Sequence, residues 1–183
     1  MNASLRTLGR VRDLCLFRAG PQDLPYSPRA VIALLIVGAV LAAIFDLSNG
    51  TPVATVIGAN AGTLIALAAL RTMLRWRGKP ERFVQTALAL IATGLLFELI
   101  LLPLAWLTGL PAMLAAQPKV LGSSDLLVLL SVSVLVVWQA GISAQILRKA
   151  LEIPFAGGVL VLLLIGFADL FGGALVAAML GAK

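Results

Sequence analysis

Residues Phe155–Leu180 read FAGGVLVLLLIGFADLFGGALVAAML, twenty-six residues with one ionisable group, Asp169. At 1.5 Å rise per residue, a helix of this length crosses a hydrocarbon core of roughly 30 Å with residues to spare. Backbone N–H and C=O groups in lipid must be satisfied within their own segment, so a single run of this kind is a helix. A barrel strand would need apolar–polar alternation, and runs such as Leu126-Leu127-Val128-Leu129-Leu130 have none. Four more stretches follow the same pattern: Ala30–Leu47, Val53–Leu70, Phe83–Leu107 and Leu126–Leu147, of 18, 18, 25 and 22 residues. The expected fold is all-α, a polytopic bundle of five transmembrane helices over residues 30–183, preceded by a segment at residues 1–29. With 61% hydrophobic and 12% charged residues, the chain has too little polar surface for a water-soluble domain.

The basic residues give the orientation. Arg6, Arg10, Arg12, Arg18 and Arg29 precede span 1; Arg71, Arg75, Arg77, Lys79 and Arg82 lie between spans 2 and 3; Arg148 and Lys149 lie between spans 4 and 5. That is 12 of 14, with Lys119 and Lys183 on the other side. The asymmetry predicts a multi-pass protein of the cell inner membrane with a cytoplasmic N-terminus and an external, periplasmic C-terminus. Topology and anionic headgroups account for the formal charge of +6, so no nucleic-acid partner is expected.

Local punctuation agrees with this count. Pro28, Pro52, Pro80 and Pro154 fall at or near first helical turns, where the missing N–H costs nothing. Ser123, Ser124 and Asp125 supply N-cap and first-turn oxygens to span 4. Tyr26, Trp76 and Trp106 sit at predicted interfaces, whereas Trp138 lies inside span 4 and is expected to pack on protein. The first 29 residues are too polar and charged for a signal peptide. Within them, Leu5, Leu8, Val11 and Cys15 recur at helical spacing away from Arg6 and Arg10, so Ala3–Phe17 reads as an amphipathic helix on the cytoplasmic leaflet. The Asp46–Thr51 and Thr108–Ser124 segments read as external loops, the latter with one interfacial turn around Pro111–Ala116.

Few residues carry chemistry. The chain has no His and Cys15 is its single Cys, which excludes a His/Cys metal cluster, an intrachain disulfide and a Ser-His-Asp or Cys-His arrangement. Gly157-Gly158 and Gly172-Gly173 lie in apolar helical runs without the strand-turn-helix setting of a phosphate loop. Gly58 and Gly62 form a four-residue small-residue step, and Gly58, Gly62, Gly94, Gly166 and Gly173 are read as helix-packing positions. Glu98, Asp169 and Asn60 fall at about 13, 16 and 12 Å from the predicted outer ends of their spans, near the midplane. A charged acid facing lipid costs at least about 2.5–3.5 kcal/mol, so this intramembrane polar cluster is expected to face protein, paired, hydrated or protonated. Two readings stay open: a hydrogen-bonded clasp between helices, or a proton or substrate path. Pro103 removes a helical hydrogen bond close to Glu98 and predicts a kink there.

Five spans, opposite-sided termini and the Pro-containing approach Gly20-Pro21-Gln22-Asp23-Leu24-Pro25-Tyr26-Ser27-Pro28 together resemble the Yip1-domain membrane proteins. The likeness is mainly topological. Where eukaryotic members carry an Asp-Leu-Tyr-Gly-Pro-type motif, this chain has Asp23-Leu24-Pro25-Tyr26. The resemblance implies a non-enzymatic inner-membrane protein. The expectation is a scaffold or partner-binding subunit without cofactors, in contact with membrane lipids and with a protein partner or a second copy. The alternative is a small transporter or channel component using Glu98 and Asp169.

Overall fold

A computed structural model describes residues 3–108 and 122–181. The interfacial turn expected around Pro111–Ala116 lies outside the described residues, as do Lys119 and Lys183. Six helices follow in chain order: α1 (Ala3–Cys15), α2 (Pro28–Ser48), α3 (Val53–Trp76), α4 (Phe83–Thr108), α5 (Ser123–Leu151) and α6 (Phe155–Met179). No strand occurs among the described residues. Helices α2 to α6 are each long and apolar enough to span a membrane, and the chain is a multi-pass membrane protein. Large apolar side chains stand exposed on the outside of the bundle, including Leu163, Phe167 and Leu170 of α6 at 60–70%. A soluble protein would hide such a belt; lipid covers it.

The helix starts obey the Pro and N-cap chemistry. Ser27 Oγ accepts from the Ala30 N–H at 3.3 Å with Pro28 in the first turn, and Pro52 and Pro154 occupy the N-cap positions of α3 and α6. Asp125 accepts from the Gly122 N–H at 3.1 Å, which starts α5 three residues before the expected Leu126. Two helices outrun their apolar spans. Helix α3 continues from Leu70 to Trp76 and α5 from Leu147 to Leu151, because backbone hydrogen bonding persists through residues whose charged heads reach the interface.

Helix α3 lies along α6 in the most extensive contact of the fold. Glycine makes that contact possible: a Cβ at Gly58 would meet the Gly173 carbonyl and Ala177, and one at Gly62 would collide with the Asp169 carbonyl. Helix α6 also crosses α5, where a Cβ on Gly158 would strike the Ala144 carbonyl. Helix α4 packs on α2 and α5, and Phe97 meets Trp138 edge-on with ring centroids 5.7 Å apart. The contacts of α3 with α2 and α4 are sparse. The bundle is therefore a tight α3–α6 pair and an α2–α4 pair, bridged by α5.

The end of the N-terminal helix packs on protein. Leu14 and Cys15 are buried in one core with Leu24, Val31, Ala87, Phe97 and Ile142, so the end of α1 docks on α4 and α5. The helix stops at Cys15 because Phe17 turns left-handed, with φ 61°, and its ring covers Gly141 of α5. Burial pushes the Cys15 thiol above its ordinary range. A hook follows, with Arg10 donating to the Asp23 carbonyl and Gln85 of α4 donating to the Leu24 carbonyl at 2.8 Å. The side chains of Leu5 and Leu8 lie outside the described residues.

Candidate functional site

The sparse α2–α3 contact leaves a cavity of about 630 Å³ between the two helix pairs. Its walls are mostly Leu, Ile and Ala, with six polar side chains among them: Asp46, Asn60, Thr63, Glu98, Gln139 and Asp169. Ile36 of α2 and Leu64 of α3 also line it and are 58% and 61% exposed, so the cavity opens sideways between α2 and α3 toward the lipid. Such a volume sits within the roughly 300–1,000 Å³ typical of small-molecule sites.

The predicted trio lines this one cavity. Glu98 lies about ten residues before the end of α4 and Asp169 about ten before the end of α6, roughly 15 Å of helical rise in each case. Each carboxyl has a glycine opposite. A Cβ on Gly38 of α2 would stand 3.7 Å from Glu98 Oε2, and one on Gly62 of α3 would stand 2.9 Å from Asp169 Oδ1. Missing side chains make the room that these acids occupy. Asn60 faces the cavity while Gly58 and Gly62 face α6, so α3 presents a polar side and a packing side at once.

Among the described residues Asn60, Glu98 and Asp169 make no hydrogen bond to one another. The Asn60 amide donates to the Val56 carbonyl of its own helix at 2.9 Å, and the Thr63 hydroxyl points to the Ala59 carbonyl at 3.4 Å. Asp169 Oδ1 is buried without a hydrogen-bond partner. Among the described residues, the ion pairs involve none of the three cavity acids and no Lys or Arg lines the cavity. Backbone carbonyls one turn back compete successfully for short polar side chains in a helix, which is why equal depth did not become mutual bonding.

Two of the glycines read as packing positions behave otherwise. A Cβ at Gly166 would meet nothing within 4 Å, so this residue faces outward although it lies on the same side of the wheel as Gly173. Gly94 lines the cavity, with only Gln139 Nε2 near, at 3.8 Å from its Cβ position. Sequence reasoning also missed three members of the site. Asp46 was expected in an external loop, but α2 runs to Ser48 and turns it onto the cavity wall. Gln139 was passed over inside an apolar run, and Gly38 carries no signal until Glu98 is seen against it.

Among the described residues no three His, Cys, Asp or Glu side chains come together as a metal-binding group. Comparison with protein-family models, curated proteins and solved structures finds no match for this chain.

Proposed function

We propose that this protein is a non-enzymatic membrane carrier component whose cavity binds a small amphiphilic organic cation. The observation that supports this reading best is a cavity lined by three acids, Asp46, Glu98 and Asp169, and by no Lys or Arg among the described residues. Apolar walls suit an alkyl or aryl body, carboxyls suit an ammonium head, and the lateral opening suits a ligand that arrives from the bilayer. A carboxyl held within a membrane is neutralised by a proton or by a counter-ion. A singly charged ligand that enters therefore exchanges with one proton, and the charge in the cavity is unchanged. A scaffold would need none of this; hydrogen-bonded acids would serve it better.

We place the basic end of the bundle in the cytoplasm. The support is the 12-to-2 division of basic residues and the clustering of Lys79, Arg82, Arg148 and Lys149 around one end of the fold. Single cysteines at Arg75 and Asn49 in a Cys15→Ser background test this by labelling from outside intact cells: Asn49→Cys reacts and Arg75→Cys does not.

The purified protein in nanodiscs tests the binding. A decyltrimethylammonium probe is expected to bind saturably and more tightly at higher pH, since protons compete with it, while neutral decyl glucoside of equal chain length binds at least about tenfold more weakly. Glu98→Gln together with Asp169→Asn abolishes the preference and leaves the fold intact. Equal binding of both probes, or an undiminished preference in the double variant, overturns the reading and returns the scaffold as the better account.

A further inference from the structure

The basic end of the bundle holds a second cavity, of about 490 Å³, lined by Gln22, Arg82, Arg148, Lys149, Glu152 and Ile153. Three separate parts of the chain build it: the N-terminal hook, the start of α4 and the α5–α6 turn. The turn is shaped by Glu152, which ends α5 in the left-handed conformation with φ 52°. That leaves the last carbonyls of α5 without helical partners, and cations answer them. Arg77 donates to the Leu151 carbonyl at 3.3 Å and Arg82 to the Ala150 carbonyl at 3.2 Å, while Lys149 reaches across to the Ala19 carbonyl at 2.7 Å.

These contacts position the charges without neutralising them. Glu152 is the one carboxylate in the lining, and it is shared between Arg82 at 2.7 Å and Lys79. Lys149 is held by a neutral carbonyl, and exposed Arg148 is held only by the neutral Gln145 side chain at 3.1 Å. Three cations, Arg82, Arg148 and Lys149, thus line the recess beside one carboxylate, and hydrogen bonds orient their guanidinium and ammonium heads. Ile153 gives the recess an apolar edge, and exposed Phe155 opens α6 two residues further on.

From this we infer that the recess is a binding site for the phosphate of an anionic phospholipid headgroup. Arg148 is its most available donor, and Arg82 and Lys149 form its floor. The same phosphate chemistry could be met by a free anion; the apolar edge running onto α6 selects the lipid. Diffuse attraction to an acidic leaflet is worth about 1 kcal/mol per basic residue near the surface, or roughly fivefold, wherever that residue lies. A built recess differs in making the effect depend on position.

The test uses the full-length protein in nanodiscs of phosphatidylcholine with a minor fraction of phosphatidylglycerol, counting lipids retained on gentle extraction by native mass spectrometry. Wild type is expected to keep phosphatidylglycerol over phosphatidylcholine. Arg148→Gln reduces that retention by about fivefold or more, while Arg75→Gln, which removes an exposed charge at the same end outside the recess, changes it less than about twofold. Melting curves check that both variants fold, and Arg148→Lys restores part of the retention. Equal losses in the two variants, or no preference in wild type, overturn the inference. Displacement of the retained lipid by millimolar inorganic phosphate also overturns it, by assigning the recess to a soluble anion.

Discussion

Helix α3 meets its neighbours in two opposite ways. Toward α6 it offers Gly58 and Gly62, and the backbones approach until a methyl group would not fit; toward α2 it offers Asn60 and Thr63, and a 630 Å³ cavity remains. In water both faces would be driven together by burial of apolar surface. In lipid that drive is absent, since acyl chains solvate Leu as well as Leu does, and helices associate where close packing or polar contact gives more than lipid can. The α3–α6 seam has close packing. The α2–α3 face has neither, and its polar groups are left to answer to whatever occupies the cavity.

The most severe way to break this contrast is to give the seam a side chain. Gly62→Val places its Cβ against the Asp169 carbonyl, a backbone atom of a packed helix with little freedom to retreat. The expected cost is about 2–3 kcal/mol, the upper range for overpacking, read as a lowered unfolding midpoint in detergent. Gly166→Ala enters open space and should instead be neutral or stabilise by roughly 0.5–1 kcal/mol through lost unfolded-state freedom. Similar effects at the two positions would mean that the α3–α6 contact is not what the glycines serve.

A milder change separates the cavity from the seam. Asp169 belongs to both, since its carbonyl packs on Gly62 and its carboxyl lines the cavity. Replacing the carboxyl by an apolar group of similar size removes a buried oxygen that has no partner, so Asp169→Leu should hold or raise stability by about 1 kcal/mol while ammonium binding is lost. Destabilisation with binding retained would show that the carboxyl is structural. Stability and function are expected to oppose each other at this residue, as they do where a site keeps a polar group unsatisfied for its ligand.

The same contrast explains what the sequence allowed to be read. The five spans, their Pro starts and the Gly58/Gly62 step were legible because lipid-spanning length, missing N–H groups and four-residue spacing are properties of one segment. Partner faces were not, because apolar residues facing lipid and apolar residues facing protein have the same hydropathy. Gly166 and Gly173 sit on one side of a wheel, and only the position of α3 decides that one packs and the other does not. Val11 and Cys15 looked like membrane-facing positions for the same reason, and they pack on the protein core. Asp46 was lost because the external loop was read from Asp46 itself, whereas α2 continues to Ser48, and sequence signals are weakest at helix ends.

The smallest expected effect concerns the basic end, which ties the two helix pairs together where the cavity does not separate them. Glu152 accepts from Lys79 and Arg82, and these cations hold its carboxyl below its ordinary value of 4.5. The folded state therefore favours the ionised form. Its contribution is complete above the unfolded value and is lost as pH falls through the lower folded value, so the window opens near 4.5 and extends downward. The group is exposed and salt screens it, which keeps the effect small. Unfolding midpoints at about pH 6 and about pH 3 should therefore fall slightly more in wild type than in Glu152→Gln, with the difference shrinking at high salt. Glu152→Gly provides the needed second comparison: it removes the same ion pairs but relieves the left-handed backbone that a side chain resists. Above pH 6, Glu152→Gly should accordingly be more stable than Glu152→Gln, and both should lack the acid-dependent component. If wild type and Glu152→Gln lose stability equally on acidification, the ion pairs do not hold this end of the bundle, and the α5 carbonyl contacts of Arg77 and Arg82 do so alone.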